Sequence, residues 1–451
     1  MDRRSFIRLA AVPTSVAVAG CSGGSSSDGQ QSPTPPEEVQ EAKEEYSETP
    51  EDSETPSSQV KPVDWISRAK DGTNSRFVPT QTFTDSDYST NWEARVGEPR
   101  YTAMDVIAGD GQLFVLKSNE FVAYSGAGER VWQIRDHDLR SIVYADGFLG
   151  ALNQFGDLLI LDAKTGKRTG LLKEGWTEPY MREAQATDSG HIAYLFESSN
   201  VHLRIVNPND GELVFDSELD GFDGNGTTAP KRLLTEGDRL YLIGHEPENY
   251  SMKVQVRNAQ SGAVESEFTK TWVDDNDMDN LADSTIASGQ LISAMTADED
   301  LSGDGKIASG LISYTADGSQ NWVANDLLGT ETVLGVCSDG DRAYLISPET
   351  IVAVSASDGS KQWEYSNRNR FAEDAGILTE GKLLIPDDDA SSGIRVHAID
   401  TQSGEATRTQ LVTEDDQPTS YSDAVAHLRP ASEGIYTMGQ TLRHITPNNT
   451  N

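Results

Sequence analysis

Residues 340–363 read Gly340-Asp-Arg-Ala-Tyr-Leu-Ile-Ser-Pro-Glu-Thr-Ile-Val-Ala-Val-Ser-Ala-Ser-Asp-Gly-Ser-Lys-Gln-Trp363. Two apolar runs lie on either side of a short polar turn, and Gly340 and Gly359 bound the pair. Continuous apolar runs of this length between turn residues are typical of β-strands that are buried on both faces. The segment therefore predicts two adjacent strands, a hairpin turn and a third strand that reaches Trp363.

The same unit recurs along the chain at an average spacing of about 46 residues. Its first glycine occurs at eight positions: Gly111, Gly147, Gly190, Gly237, Gly289, Gly340, Gly381 and Gly434. Its second glycine occurs at seven positions: Gly128, Gly166, Gly211, Gly262, Gly318, Gly359 and Gly404. An Asp or Asn shortly before the second glycine can accept backbone N–H bonds, and the glycine supplies a positive φ. We therefore expect a tight hairpin turn at each of these blade-turn glycines.

An aromatic side chain follows the second glycine by four residues in four of the seven units. These blade aromatics are Trp132, Phe215, Trp322 and Trp363. A flat ring at a repeated strand position can close the gap between two neighbouring sheets. We expect the four side chains to lie between blades.

A repeat of this length with three or four strands is typical of a β-propeller blade. No long segment has helical periodicity, so the fold class is all-β. The eight first glycines predict eight four-stranded blades over residues 63–451, and seven blades with an irregular cap are the alternative. The last unit stops at Asn451 without its outer strand. We expect the unpaired segment Asn91–Val96 to complete it, because a closed ring leaves no free sheet edge.

The amino terminus has the pattern of an export signal. Arg3 and Arg4 precede an apolar stretch that ends in small residues, which resembles the twin-arginine signal. Val18-Ala-Gly-Cys21 resembles a lipobox, in which the thiol of Cys21 receives a lipid. Residues 22–62 are acidic and rich in Ser, Pro and Glu, which predicts a disordered tether. Residues 1–21 are interpreted as a signal peptide, and the mature protein as lipid-anchored at the extracellular face of the cell membrane.

The chain is strongly acidic along its whole length. It has 451 residues with 73 acidic and 36 basic side chains, a formal net charge of −37. Residues 1–60 account for only −7 of this, so the acid belongs mainly to the folded body. A basic face for nucleic acid is unsupported at this charge. No apolar run reaches the roughly 18–20 residues of a membrane-spanning helix. The excess acid and the scarcity of Lys favour adaptation to molar salt, which screens such charge.

Two hairpins carry a resemblance to a known family. Leu159-Ile-Leu-Asp-Ala-Lys-Thr-Gly-Lys167 and Ile351–Tyr365 resemble the repeats of the PQQ-like β-propeller superfamily. Combined with the lipobox, this makes the chain similar to BamB-like lipoproteins, a resemblance that implies a non-catalytic scaffold. The charge pattern is similar to that of haloarchaeal proteins. An archaeal cell has no outer membrane, so the outer-membrane assembly role of those lipoproteins does not carry over.

Quinoprotein dehydrogenases share these repeats, so the resemblance also raises an enzyme reading. Membership of that family would imply a vicinal disulfide beside the quinone, a calcium site and an Asp that acts as base. The chain has only Cys21 and Cys337, which are not adjacent. Cys337 lies in an apolar strand and is expected to be a small buried side chain. We therefore predict no catalytic, cofactor-binding or metal-binding residues, no cofactor and no enzymatic activity.

Three acidic segments leave calcium open as an alternative to solvated loops: residues 274–277, 298–305 and 387–389. Residues 298–305 begin like a calcium loop, but the twelfth position is Ser309 instead of the Glu that such a loop needs. We interpret all three as solvated loops. The seven histidines have no zinc-type spacing and are expected in turns or on strand faces.

Two functions remain in competition. The first is a monomeric scaffold that binds an unknown protein or surface polymer and reaches the membrane through the lipid on Cys21. The alternative is a quinoprotein-like enzyme or a ligand sensor that uses the central funnel. A channel lined by Ser, Thr and small residues would favour the scaffold. Buried carboxylates together with Arg or His would favour the enzyme.

Overall fold

The structure is a computed structural model that describes residues 77–78, 88–95, 105–117, 120–135, 139–153, 157–172, 180–197, 200–223, 230–246, 251–271, 280–296, 309–329, 331–367, 370–371, 376–387, 395–411, 427–431, 434–438 and 441–447. These residues all belong to one compact unit, Tyr46–Asn451. The predicted signal peptide with Arg3, Arg4 and Cys21, and the tether 22–62, lie outside them. Across the described ranges the regular elements are β-strands, and no helix there is long and apolar enough to cross a membrane.

The prediction of eight four-stranded blades is confirmed, and the alternative of seven is wrong. Two strands precede the first blade: β1 (Phe77–Val78) and β2 (Tyr88–Arg95). Blade 1 comprises β3 (Asp105–Gly109), β4 (Gln112–Leu116), β5 (Phe121–Ser125) and β6 (Arg130–Ile134); blade 2 comprises β7 (Leu139–Ala145), β8 (Phe148–Asn153), β9 (Leu158–Asp162) and β10 (Arg168–Leu172); blade 3 comprises β11 (Tyr180–Ala186), β12 (Ile192–Glu197), β13 (Asn200–Val206) and β14 (Leu213–Asp223); blade 4 comprises β15 (Pro230–Glu236), β16 (Arg239–Glu246), β17 (Ser251–Asn258) and β18 (Val264–Thr271).

The second half of the ring repeats this order. Blade 5 comprises β19 (Asn280–Ala287), β20 (Gln290–Thr296), β21 (Gly310–Tyr314) and β22 (Gln320–Ala324); blade 6 comprises β23 (Gly335–Ser338), β24 (Arg342–Ile346), β25 (Thr350–Ser355) and β26 (Lys361–Ser366); blade 7 comprises β27 (Ile377–Thr379), β28 (Lys382–Pro386), β29 (Arg395–Asp400) and β30 (Ala406–Gln410); blade 8 comprises β31 (His427–Pro430), β32 (Ile435–Met438), β33 (Thr441–Pro447) and, from the amino-terminal side, β2. Neighbouring strands within each four-stranded blade are antiparallel.

The first strand of each blade is the inner one. Neighbouring inner strands lie side by side around the axis: β3 beside β7, β7 beside β11, β11 beside β15, β15 beside β19, β19 beside β23, and β27 beside β31. Each inner strand belongs to a separate sheet, so no backbone ladder joins one blade to the next. Side chains must therefore hold the blades together.

The ring closes as the sequence predicts. β2 pairs antiparallel with β33, and Trp92 lies opposite His444. Arg443 donates from Nε to an Oε2 of Glu93 at 3.3 Å across the same pair. The strand therefore joins the two ends of the chain and covers the edge that β33 would otherwise leave open.

One further strand was not anticipated. β1 pairs in parallel with β27, the inner strand of blade 7, with Phe77 opposite Leu378 and Val78 opposite Thr379. Blade 7 therefore has five strands, and its extra strand lies on the axial side of the inner strand.

Apolar side chains fill the spaces between the sheets, because both faces of each blade are covered by its neighbours. In blade 6, β25 reads Thr-Ile-Val-Ala-Val-Ser and is buried from Thr350 to Val354. Cys337 on β23 is buried, with only 1% of its surface exposed, as the apolar surroundings in the sequence indicate. The blades thus stack as one continuous ring of two-faced sheets.

Candidate functional site

The outer joints between blades pair an aromatic ring of one blade with a turn glycine of the next. In blade 6, the ring of Trp363 lies so close to Gly404 of blade 7 that an added Cβ would be 2.9 Å from it. The indole Nε1 donates to the carbonyl oxygen of Thr401 in the same turn at 2.8 Å. Gly404 has φ of +73°, so the turn needs glycine for its backbone as well as for the ring.

Two more of the expected aromatics form the same joint. Trp132 lies against Gly166 and donates to the carbonyl oxygen of Ala163 at 2.9 Å. Trp322 lies against Gly359 and donates to the carbonyl oxygen of Ala356 at 2.9 Å. Burial of each ring and the directed N–H bond fix the distance between adjacent blades.

Phe215 of blade 3 lies against Gly262 of blade 4, and it has no N–H to donate. Sequence reasoning missed the aromatics at two other joints. Phe268 lies against Gly318, two residues further along its strand than the expected position. Trp92 of the closing strand lies against Gly128 and donates to the carbonyl oxygen of Gly126 at 2.9 Å. Counting every second residue along the outer strand would have found Phe268, since such residues share a face.

At one blade-turn glycine, Gly211, no ring of the described residues lies within contact distance. Gly170 of blade 2 stands where blades 1, 3, 5 and 6 have the aromatic, opposite Ile160 on the neighbouring strand. An added Cβ on Gly211 of blade 3 would meet only the Cδ1 of Ile160, at 3.9 Å. Among the residues that the structure describes, this joint thus has an aliphatic side chain near the turn glycine where the joints described above have a ring.

Charged side chains meet near the axis, at the end where the inner strands begin. Glu183, Arg232 and Asp283 occupy equivalent places in β11, β15 and β19, because each follows directly after an irregularity in the pairing of its strand. A bulge turns the next side chain toward a new direction, which is why such residues often serve a site. The three blades are consecutive, so their inner strands place these side chains together.

Asp283 is at the centre of this group and has only 2% of its surface exposed. Its Oδ1 accepts from the Nε of Arg232 at 2.7 Å, and its Oδ2 accepts from the backbone N–H of Val336 at 3.1 Å. The carboxylate thus bridges blades 4, 5 and 6. The guanidinium and the amide donors thus hydrogen-bond both oxygens of this buried side chain.

Glu183 makes a similar contact one blade earlier. Its carboxylate accepts from the backbone N–H of Leu233 in blade 4. Burial raises the pKa of Glu183, while the guanidinium of Arg232 and the Leu233 N–H oppose that rise. The side chain acts as a link between inner strands, and its charge is disfavoured by its surroundings.

At the seam between blades 8 and 1, the link is made by an arginine. Arg429 is 3% exposed, and its Nε donates to the carbonyl oxygen of Val106 at 2.8 Å. Its Nη2 lies 3.8 Å from the Oδ1 of Asp105. A charged side chain therefore ties one blade to the next at this junction too.

The axial group is the arrangement that, from sequence, was expected to favour an enzyme or ligand sensor. In the structure the carboxylates of Glu183 and Asp283 instead link neighbouring inner strands, because each accepts a backbone N–H from the following blade. The side chain of Arg232 is 38% exposed, so one cation of the group reaches solvent. The group can bind an anion only through Arg232, whose charge Asp283 already balances.

A second polar cluster lies between blades 6 and 7. His397 is 2% exposed, with Nδ1 at 2.9 Å from the hydroxyl of Tyr365 and Nε2 at 3.1 Å from the Nδ2 of Asn367. Asp387 lies 3.7 Å from Nε2 of the same ring and also pairs with Arg408. Its side chain is fully buried, so the interpretation of residue 387 as part of a solvated loop is wrong. The other two acidic segments, 274–277 and 298–305, lie outside the described residues.

Comparison with known proteins identifies the fold and no more. No family model and no curated protein matches the chain. Three similar solved structures have TM-scores of 0.53 to 0.56: BamB from Moraxella catarrhalis, with 13% identity over 80% of this chain and 99% of that chain; a europium-containing methanol dehydrogenase, with 11% identity over 83% and 89%; and the computationally designed Ika8 protein, with 8% identity over 78% and 97%.

The chain shares its β-propeller fold with these three structures. At these identities the likeness concerns the fold, since the three structures include an enzyme and a design that has no natural function. Function must be argued from the side chains.

Proposed function

We propose that the protein is an exported, lipid-anchored β-propeller that acts as a non-catalytic, protein-binding scaffold at the outer face of the cell membrane of a halophilic archaeon. The observation that carries the non-catalytic part is the engagement of the axial carboxylates: Glu183 and Asp283 each accept a backbone N–H of the next blade. Groups that hold the ring together are poorly placed to act as acid or base. The fold shared with BamB supports a binding role.

Anchoring is supported by the sequence, in which Arg3 and Arg4 and the lipobox ending at Cys21 have the expected order and spacing. A Cys21→Ser variant is expected to leave the membrane fraction and appear in the medium or the soluble fraction. Cys337→Ser is the matched control, because that thiol is buried in β23. If Cys21→Ser stays with the membrane and the control behaves identically, the lipid anchor is disproved.

Binding of a partner protein or surface polymer is tested by crosslinking in living cells at native salt, followed by mass spectrometry. We expect one reproducible partner that copurifies with the anchored protein. Recovery of the propeller alone, as a monomer, at every crosslinker length would contradict the scaffold.

A ligand sensor in the funnel is the second candidate. Arg232 pairs with the buried carboxylate of Asp283, yet its side chain is 38% exposed, so its guanidinium is accessible to a ligand. Thermal shift with small anions, such as acetate and phosphate, measures it. A shift in the wild type that Arg232→Gln removes would favour the sensor over the scaffold.

A further inference from the structure

The joint between blades 6 and 7 contains a histidine with a polar partner at each ring nitrogen. His397 lies on β29 and is 2% exposed. Its Nδ1 is 2.9 Å from the hydroxyl of Tyr365, and its Nε2 is 3.1 Å from the Nδ2 of Asn367. An amide nitrogen can only donate, so Nε2 accepts and carries no proton. The joint is therefore built around the neutral form of the ring.

Both hydrogen bonds of the ring cross from blade 7 to blade 6. Tyr365 lies on β26, two residues beyond Trp363, so the two aromatic side chains share a face of the strand. Asn367 directly follows the last residue of β26. Trp363 thus closes the joint near the turn of Gly404, and His397 closes it where the chain leaves β26.

Phe371 packs directly on the ring of His397. It is 2% exposed, and its ring meets the imidazole at an angle of 90°, with 5.4 Å between the two centroids. Its ring centroid is also 6.2 Å from that of Tyr365. The backbone of Phe371 forms a bridge to Asp387 of blade 7. A movement of the imidazole therefore displaces Phe371.

Asn367 and Phe371 are also held to blade 6 by their backbone N–H groups. Asn367 donates to the carbonyl oxygen of Glu349 at 2.8 Å, and Phe371 donates to that of Pro348 at 2.7 Å. Pro348 and Glu349 lie in the turn between β24 and β25. The same two residues thus contact the histidine through their side chains and blade 6 through their backbone.

Among the described residues, three ionisable groups face the ring of His397: Asp387, Arg408 and Tyr365. The fully buried Oδ2 of Asp387 is 3.7 Å from Nε2 and also pairs with Arg408, which lies opposite His397 on β30. Burial raises the pKa of Tyr365; the guanidinium of Arg408 opposes that rise, and the carboxylate of Asp387 adds to it. On the other neighbouring strand, β28, the residue opposite is the apolar Ile385.

A proton added to this ring binds at Nε2, because Nδ1 already carries the proton of the neutral form. Histidine side chains change charge between about pH 5 and pH 8. The new N–H is directed at the amide of Asn367, and two donors cannot share one hydrogen bond. The carboxylate of Asp387, 3.7 Å away, attracts the cation instead.

We propose that the joint between blades 6 and 7 is a pH-sensitive latch: when His397 gains a proton, its Nε2 turns from Asn367 to Asp387, and Asn367 and Phe371 are released from the turn at Pro348 and Glu349. Release changes the surface where the chain passes from blade 6 to blade 7. The latch goes beyond the scaffold function proposed above and does not depend on it.

Hydrogen exchange resolved to single amides, on the full chain at constant high salt, tests the latch at about pH 8 and about pH 5. His397→Gln cannot gain the charge, and comparison with it at the same pH cancels the intrinsic exchange rate. Relative to this variant, we expect the amides of Asn367 and Phe371 in the wild type to exchange at least about tenfold faster at the lower pH. The amide of Gly359, which donates to Ser355 at 2.9 Å in the turn before β26, should not respond.

Asn367→Ala keeps the test valid if His397→Gln does not fold, because position 367 is only half-buried. This variant lacks the amide that holds Nε2, so its Phe371 amide should exchange rapidly at both pH values. His202→Gln is the matched control: His202 stacks on Phe196 in blade 3, with 4.9 Å between the ring centroids, and its loss should leave the response of the wild type intact.

A response that persists in His397→Gln, or exchange that slows at the lower pH, would overturn the latch. Equal acceleration at Gly359 would also overturn it, because the whole blade would then be loosening. So would a Phe371 amide that is as well protected in Asn367→Ala as in the wild type at the higher pH.

Discussion

Two glycines with the same backbone geometry have opposite surroundings, and replacing each by alanine measures the tightness of the joints. Gly359 has φ of +72° and Gly211 has φ of +74°, and both donate their N–H to a carbonyl four residues earlier at 2.9 Å. A Cβ at Gly359 would lie 2.5 Å from the ring of Trp322, whereas at Gly211 it would meet Ile160 at 3.9 Å. The pair therefore separates backbone strain from steric conflict.

The magnitudes follow from these two contributions. Alanine in the left-handed region costs about 1–2 kcal/mol at either position. Forcing a methyl group into a filled joint adds about 1–3 kcal/mol, because Trp322 is held by its bond to Ala356 and cannot move freely. We expect Gly359→Ala to lower the free energy of unfolding by about 2–5 kcal/mol and Gly211→Ala by about 1–2 kcal/mol.

Equilibrium unfolding in urea at constant high salt gives both values, provided that the slope of the transition is unchanged. Gly381→Ala is the control for strain alone, since Gly381 has φ of +80° and no described residue other than its two chain neighbours would lie within 4 Å of the new Cβ. A loss at Gly211 as large as that at Gly359 would refute the reasoning, because it would mean that the joint between blades 2 and 3 is closed. A small loss at all three positions would show that the rings do not hold the blades.

Three further outcomes are expected. Trp92→Ala opens the seam between blades 8 and 1, so it should lower the free energy of unfolding by about 3–5 kcal/mol, as seen in urea unfolding, whereas Trp92→Phe should retain most of it. Burial raises the pKa of Glu183, so the folded chain keeps a proton that the unfolded chain releases above about pH 4.5. The contribution of this group to the free energy of unfolding therefore falls as the pH rises. Glu183→Gln should therefore gain in stability relative to wild type between about pH 5 and pH 8, and a flat difference would contradict the raised pKa. With a net charge of −37, the melting temperature should rise between about 0.2 M and 2 M NaCl; a fall would argue against adaptation to brine.

The blades were predictable because their signals are local. Each turn glycine, such as Gly111 or Gly359, needs a positive φ, and the short apolar runs between the turns specify strands without help from distant residues. The closing strand was predictable for a different reason, since blade 8 lacked an outer strand and residues 91–96 lacked a partner. Strand β1 could not be anticipated, because Phe77 and Val78 are too few residues to give a periodic pattern.

The axial group was hidden by the variation in turn length. Glu183, Arg232 and Asp283 stand seven, five and six residues before the glycines of their first turns, so no fixed spacing connects them. They meet because three consecutive inner strands face one axis, which is a property of the closed ring. Alignment of the repeats on the paired ends of the inner strands would have brought them together.

Separate sheets leave the inner strands without a ladder between blades, and backbone groups that face the next blade still need partners. At the axis, the carboxylates of Glu183 and Asp283 accept the N–H groups of Leu233 and Val336. The guanidinium of Arg429 donates to the carbonyl oxygen of Val106. At the outer edge, the indole N–H groups of four tryptophans donate to carbonyl oxygens of the next blade. Charge at the axis and aromatics at the rim are thus consequences of the architecture, and neither requires a ligand.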